Sequence, residues 1–315
     1  MSSQPTVTIV IPVLNGRSTI AQTIESALNQ TYANREIIVV DNGSTDGTSE
    51  ILTRYHRRVQ VHHEPIRGAN RARNRGLRHA RGDYLQFLDA DDLLHPDKLA
   101  VQVPLAVSRL GSMIICDGEV IERNGDRHAI VHSPEGEDPF CYAALYWLTM
   151  LGPLFNTDEV RSVGGFDESL MGGHDFELPL RLALRGATLI HTDICLFTVR
   201  KQIGSVSSNE IKGAQWRLRL MTKIAAQISN SDPRACRLRQ ALARRNAADG
   251  RLCLAHGADL ATAQAFFDAA ADLHPSAGLE WVYGPLGRLV HRTLGPMTAH
   301  RLSVLKAKFR RRIEP

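Results

Sequence analysis

Residues 36–48 read EIIVVDNGSTDGT. Glu36–Val40 is a short apolar run rich in β-branched side chains, which is the pattern of a buried strand. It runs straight into Asp41-Asn42-Gly43-Ser44-Thr45-Asp46-Gly47, a cluster of residues that turn the chain. A helix from about Thr48 to Tyr55 is expected next, with Ser44, Thr45 or Asp46 as its cap. The same unit recurs on both sides. Upstream, Thr6–Leu14 (TVTIVIPVL) ends in Asn15-Gly16, and Ile20, Ile24, Ala27 and Leu28 then fall on one helical face between Ser18 and Asn29. Downstream come a third strand at Val59–His62, an arginine-rich helix at Asn70–Ala80, and a fourth strand, Tyr84–Leu88 (YLQFL), ending in Asp89-Ala90-Asp91-Asp92. Strand, turn and helix repeated at this spacing predict an α/β fold with a mostly parallel central sheet covered by helices. Ligands of such sheets bind beyond the carboxyl ends of the strands. Asn15, Asp41 to Asp46 and Asp89 to Asp92 all fall there.

The pattern is looser beyond this half. Met113–Cys116 reads as a strand, and Gly118 to Val131 as a hairpin about Asn124-Gly125. Gly164-Gly165-Phe166-Asp167 reads as a turn, Asp175 to Arg185 as an amphipathic helix, and Ala187–Ile190 as a return to the sheet edge. After about Glu210, Ala, Leu, Arg and Gln dominate, with helices expected at 211–229, 234–255 and 259–273. The chain is therefore divided into residues 1–210, the α/β domain, and residues 211–315, an α-helical C-terminal extension.

Composition narrows the class. The chain has 315 residues, 43% hydrophobic and 23% charged, as a globular protein with a real core does. Its net charge of +5 suits phosphorylated ligands, and much of the excess gathers late, at Arg301, Lys306, Lys308 and Arg310 to Arg312. That basic end is expected to touch an anionic membrane surface or to pack as a solvated helix. The five scattered cysteines form no C-x-x-C pair, against a disulfide framework or a zinc site. No apolar run approaches the ~20 residues of a membrane span. The N-terminus lacks a signal-peptide pattern. The expectation is a cytoplasmic protein, peripheral at the inner face of the membrane, with no nucleic-acid partner.

Three places carry chemistry. Asp89 and Asp91 converge at a strand end, where a divalent cation such as Mg²⁺ or Mn²⁺ takes one or two carboxylates plus substrate phosphates; Asp91 or Asp92 could instead cap a helix starting near Pro96. Asp41 could accept from a base or ribose, or simply serve its own turn. Asp175 follows Gly172-Gly173-His174 at a helix head. It could be a general base or a cap, and His174 could compete for the first role. Spacing does not choose among Arg67, Arg71, Arg73, Arg75 and Arg78 as phosphate ligands.

Four segments, taken together, resemble the family 2 inverting glycosyltransferases of GT-A fold: VTIVIPVLNGRSTIAQTIESALNQTY, EIIVVDNGSTDGT, GANRARNRGLRHARGDYLQFLDADD and GGFDESLMGGHDFELPLRLALRG. They stand in the family's order over about residues 5–207. The resemblance implies a sugar moved from a nucleotide-diphosphate donor, commonly a UDP-sugar, to a carbohydrate or lipid-linked acceptor, in cell-surface polysaccharide or glycolipid assembly. It implies that Pro12, Val13 and Asn15 border the nucleotide and that Asp41 holds the base. Arg73 would stand near the nucleotide, and Asp89 and Asp91 would be the D-x-D pair, with Asp91 the direct ligand of Mn²⁺ or Mg²⁺. Asp175 would be the catalytic base, and Arg200 with Gly204-Ser205 a loop closing on the diphosphate.

Two positions depart from the family pattern. His174 stands where a Glu is usual, and Gln202 where a histidine is frequent; both are candidate modulators of activity. They keep a nucleotide-sugar-binding protein without catalysis as an alternative. A sugar nucleotidyltransferase ranks lower, because the first strand leads into Pro-Val-Leu-Asn-Gly rather than a glycine-rich loop. No Q-x-x-R-W segment is present, against a processive polysaccharide synthase, and no P-loop motif is present either. Acceptor choice is expected to rest with the loops between Gly118 and Leu151 and with the helical extension.

Overall fold

The computed structural model describes residues 4–170, 172–201 and 209–275, with Tyr283, His291, Thr293, Gly295 and residues 297–300. Two compact units emerge, one of Met1–Ala143 with Trp147–Ser205, the other of Ala144–Tyr146 with Val206–Pro315.

The first unit is built on one sheet. In chain order its elements are β1 (Val7–Val13), α1 (Ile20–Leu28), β2 (Arg35–Asp41), α2 (Thr48–Thr53), β3 (Gln60–His63), α3 (Ala69–His79), β4 (Tyr84–Phe87), β5 (Leu93–Leu94), α4 (Lys98–Ser108), β6 (Ser112–Ile121), β7 (Arg127–Ile130), α5 (Pro139–Leu145), β8 (Leu154–Asn156), α6 (Thr157–Ser162), α7 (His174–Leu184) and β9 (Thr188–Arg200). The strand order is β3-β2-β1-β4-β8-β6-β9-β5, with β7 paired to β6. The first four strands are parallel, as the repeated strand–turn–helix unit requires. β8 then enters antiparallel between β4 and β6, and β9 runs parallel to β6. Chain order thus carries four polar turns to one edge of the parallel half.

Local chemistry explains these elements. All of β1 except Pro12 is buried, as a parallel strand with helices on both faces must be. Pro12 sits in this central strand without breaking it, because β4 stops pairing at Val10↔Phe87 and asks no N–H of Pro12. α1 turns Ile20, Thr23, Ile24 and Ala27 inward. α3 lies close on β1 because residue 76 is glycine: a Cβ there would come within 2.3 Å of Val10 Cγ1.

Three expectations are corrected. The strand expected at Ala187–Ile190 is the 13-residue β9, which lies one strand in from the edge because β5 pairs antiparallel outside it. The helix expected near Pro96 begins at Lys98 with Asp97 as its N-cap, so neither Asp91 nor Asp92 caps it. The N-cap of α2 is Gly47, although the Asp46 carboxylate does take the Thr48 N–H, at 3.1 Å.

The second unit is helical, with α8 (Glu210–Ala225), α9 (Ala235–Ala255) and α10 (Leu260–Leu273) close to the spans read from the sequence. Arg217 and Arg245 both grip the buried Asp249 in two-pronged ion pairs at 2.9–3.2 Å. Among the described residues no helix is long and apolar enough to cross a membrane. The basic residues Arg301 to Arg312, and with them the expected membrane contact, lie outside the described residues.

Candidate active site

The edge formed by the ends of β1 and β2 is stitched by short polar bonds. Asn15 adopts a left-handed backbone (φ 54°), which lets its N–H reach Ser44 Oγ at 2.9 Å while its Oδ1 takes the Thr45 N–H at 2.9 Å. Asp41 is buried and accepts from the Ser44 N–H (3.0 Å) and the Ser49 hydroxyl (2.9 Å). Its carboxylate therefore serves its own turn at the strand end, the plainer of the two readings. Asn42, unremarked in the sequence, ties this edge to the next loop: its Nδ2 donates to the carbonyls of Glu64 and Ile66, and its Oδ1 takes the Gly68 N–H.

Among the five arginines that spacing could not separate, only Arg73 is buried. It projects from α3 to the end of β4, where its Nη2 lies 2.6 Å from Asp89 Oδ1, and its guanidinium covers the Phe166 ring at 5.7 Å. Its Nε and Nη1 are buried and have no partner among the described residues. Two unmatched donors on a buried cation leave the arginine incomplete and suit the oxygens of an anionic ligand. Arg71 and Arg78 instead pair with Glu168 or Glu64 nearer the surface.

Asp89, Asp91 and Asp92 share one turn. Thr23 Oγ on α1 lies 2.9 Å from the carbonyls of both Ala90 and Asp92. On the other side, the Arg200 N–H donates to Asp92 Oδ1 at 2.7 Å, and its Nε donates to the Asp91 carbonyl. Arg200 Nη1 donates to Gln22 Oε1, and its Nη2 is buried without a partner among the described residues. Burial pushes Asp89 toward the neutral form, but Arg73 and His174 outweigh it and hold its carboxyl below the usual range. Burial and the Asp89 charge push Asp91 up, and burial with both neighbouring carboxylates pushes Asp92 well up. No described residue other than Asp91 itself hydrogen-bonds its carboxylate.

Among the described residues no three His, Cys, Asp or Glu side chains converge on a closed metal cage. A hard cation that shares phosphate oxygens with its substrate needs only one or two carboxylates. Three crowded acids, two of them destabilised as anions by burial and a neighbouring carboxylate, suit that role. Asp89 and Asp91 therefore fit a divalent ion.

α7 opens at His174, behind an N-cap glycine at φ 80° (Gly173). Asp175 lies in the first turn rather than at the cap, so capping is not its role. Its Oδ2 accepts from the indole Nε1 of Trp147 at 2.9 Å, and its Oδ1 lies 3.7 Å from His174 Nε2. Burial and the charge of Arg73 lower the His174 pKa, only partly offset by Asp175 and Asp89. A lowered pKa makes His174 a weaker base than an ordinary imidazole. Gln202 and the Gly204-Ser205 loop lie outside the described residues.

The sequence reading missed what aims these groups. Asn70 and Asn74, four apart on α3, bind the turn before α7: Asn74 exchanges two hydrogen bonds with the Phe166 backbone (2.8 and 2.9 Å), and Asn70 donates to the Asp167 carbonyl at 2.8 Å. Their i, i+4 spacing was the available signal.

The profile of glycosyl transferase family 2 matches residues 8–151. TuaG of Bacillus subtilis, named as a teichuronic acid biosynthesis glycosyltransferase, is 30% identical over 220 residues, 67% of this chain and 85% of TuaG. The chain belongs to glycosyl transferase family 2. An uncharacterized glycosyltransferase of Rickettsia typhi is 34% identical over 188 residues, 55% of this chain, and the matched part is 57% of that relative's length. Among solved structures, TarS 1–349 of S. aureus in complex with UDP superposes with a TM-score of 0.70 at 17% identity, covering 94% of this chain and 89% of TarS 1–349. That likeness gives the fold, the GT-A α/β fold with a helical C-terminal region. Relatives in this family carry names from polysaccharide biosynthesis, TuaG among them.

Proposed function

We propose that the chain is a metal-dependent, inverting glycosyltransferase that moves a sugar from a UDP-sugar to an acceptor hydroxyl in cell-surface polysaccharide or glycolipid assembly. The observation that carries this reading is one juxtaposition. Asp175 Oδ1 lies 3.7 Å from His174 Nε2, and burial followed by the charge of Arg73, itself 2.6 Å from Asp89, lowers the His174 pKa, which supports placing a proton acceptor near a phosphate-binding edge.

Residues 1–210 supply the donor site and residues 211–315 the helical extension. Pro12, Val13, Asn15 and Asp41 border the nucleoside. The unmatched N–H groups of Arg73 and Arg200 donate to the diphosphate. Asp89 and Asp91 would hold Mn²⁺ or Mg²⁺, which when bound neutralises charge developing on the leaving diphosphate. Asp175 takes the proton of the acceptor hydroxyl as that oxygen bonds to the anomeric carbon. The bond to the diphosphate oxygen breaks on the opposite face, so a single displacement inverts the centre. The UDP held by TarS and the biosynthetic name of TuaG support the donor and the setting.

A donor screen tests this. Purified protein is incubated with UDP-, GDP- and dTDP-sugars under Mn²⁺, Mg²⁺ or EDTA, and released nucleoside diphosphate is measured. Release from a UDP-sugar that EDTA abolishes is expected. No release from any donor, together with no metal-dependent nucleotide binding by calorimetry, contradicts the reading.

A further inference from the structure

The segment between α5 and β8 is built against the ordinary preferences of its residues. Thr149, a β-branched residue, sits at φ 49°, a region such side chains avoid. Leu148, Thr149, Met150 and Leu151 are buried. The Gly152 carbonyl takes three donors: Lys98 Nζ (2.9 Å), Gln102 Nε2 (2.9 Å) and Cys116 Sγ (3.5 Å). Gln86 Nε2 holds the Leu151 carbonyl at 3.0 Å, and Thr149 Oγ takes the Gly152 N–H at 3.1 Å. Lys98 is fully buried, and burial lowers its pKa to about 8. A strained threonine and a buried lysine are costly ways to hold a loop. The residue this held segment presents is Trp147, 36% exposed, with its indole N–H on Asp175 Oδ2 and Lys201 Nζ 5.7 Å above its ring.

We propose that Trp147 is a positioning residue for the base: its indole N–H fixes one carboxylate oxygen of Asp175 and leaves Oδ1 to receive the acceptor proton. This rests on the assignment of Asp175 as the base. No described residue donates a hydrogen bond to Oδ1, and His174 Nε2 stands beyond bonding distance at 3.7 Å. An unheld carboxylate on the first turn of a helix rotates about χ2 and spreads its lone pairs over many directions. The indole bond removes that freedom before the acceptor arrives, so its effect falls on turnover rather than on donor binding. The rigid segment 148–152 is the support that keeps the indole in place.

Two measurements test it. The chain has three tryptophans, so ¹⁵N-indole spectra carry three signals, and Trp147→Phe identifies one of them. Asp175→Ala is expected to move that signal upfield by removing its acceptor. The second measurement is nucleoside diphosphate release from the best UDP-sugar of the screen, with water as acceptor. Trp147→Phe is expected to lower the rate about tenfold to a hundredfold, the worth of one hydrogen bond to a charged group, with donor affinity within about twofold of the parent. An unmoved indole signal, a parental release rate in Trp147→Phe, or a loss confined to donor affinity overturns the proposal. Parental release in Asp175→Asn instead overturns the base assignment and is separately visible.

Discussion

Arg73 and Asp89 meet at 2.6 Å across two elements, the arginine from the second turn of α3 and the acid from the end of β4. The guanidinium is enclosed, with Arg73 only 2% exposed. It keeps Asp89 ionised against burial while leaving two of its own N–H donors unmatched. The proposed diphosphate contact thus draws on a side chain that also holds the fold together.

Removing that cation takes from Asp89 the main charge that holds it ionised beside Asp91 and Asp92. Arg73→Met is expected to destabilise the fold by about 3 kcal/mol, at the low end for a broken buried pair because Asp89 keeps some solvent contact. It is also expected to abolish nucleotide binding. Urea unfolding and calorimetry with UDP check both, and intact UDP affinity in a folded Arg73→Met protein contradicts the assignment of its unmatched donors.

Asp92 separates a hydrogen bond from a charge. Its folded pKa lies well above the usual value of about 3.9, through burial and the charges of Asp89 and Asp91. The folded state then binds the proton more tightly than the unfolded state, so this group's contribution falls as pH rises above about 4. In EDTA at neutral pH, Asp92→Asn should therefore be more stable than the parent, with the gap closing toward about pH 4. Asp92→Ala strands the Arg200 N–H and should fall about 1–3 kcal/mol below Asp92→Asn. Unfolding midpoints of the three proteins across pH decide this.

Lys98 gives the opposite slope. Its pKa is near 8 in the fold and about 10.4 unfolded. Below the folded value the ammonium is charged in both states and the fold bears the whole cost of burying it. Between the two values the unfolded chain holds more protons, so stability rises with pH. The stability of the parent relative to Lys98→Met should climb by about 1.4 kcal/mol per pH unit over roughly pH 8–10. A flat difference would show that the lysine is already neutral or is solvated.

The α/β half was legible because its signals are local. Short apolar runs ending in Asn-Gly or Asp-x-Asp, β-branched in β1 and β2 and aromatic and leucine-rich in β4, marked these strands and the edge they share, and the helical texture after Glu210 marked α8 to α10. The antiparallel insertion of β8 and the inner place of β9 were not legible, since a three-residue strand carries no periodicity and pairing partners are chosen by the whole sheet. Asp89, Asp91 and Asp175 were found as acids at strand and helix ends. Asn42, Asn70, Asn74 and Trp147 were not, because their work is contact with backbone or carboxylates far away in sequence, Trp147 reaching Asp175 across 28 positions. Spacing did not tell Arg73 from its four neighbours; the family resemblance singled it out, and its burial sets it apart in the structure.

The base assignment is the centre of the account, and one comparison tests it most directly: nucleoside diphosphate release by the parent and by Asp175→Asn, with UDP-sugar affinity measured on the same samples. The account predicts that Asp175→Asn binds the donor within about twofold of the parent and loses release by ~10²–10⁴-fold, the usual worth of a positioned base. Release at the parental rate from a folded, donor-binding Asp175→Asn protein would contradict it.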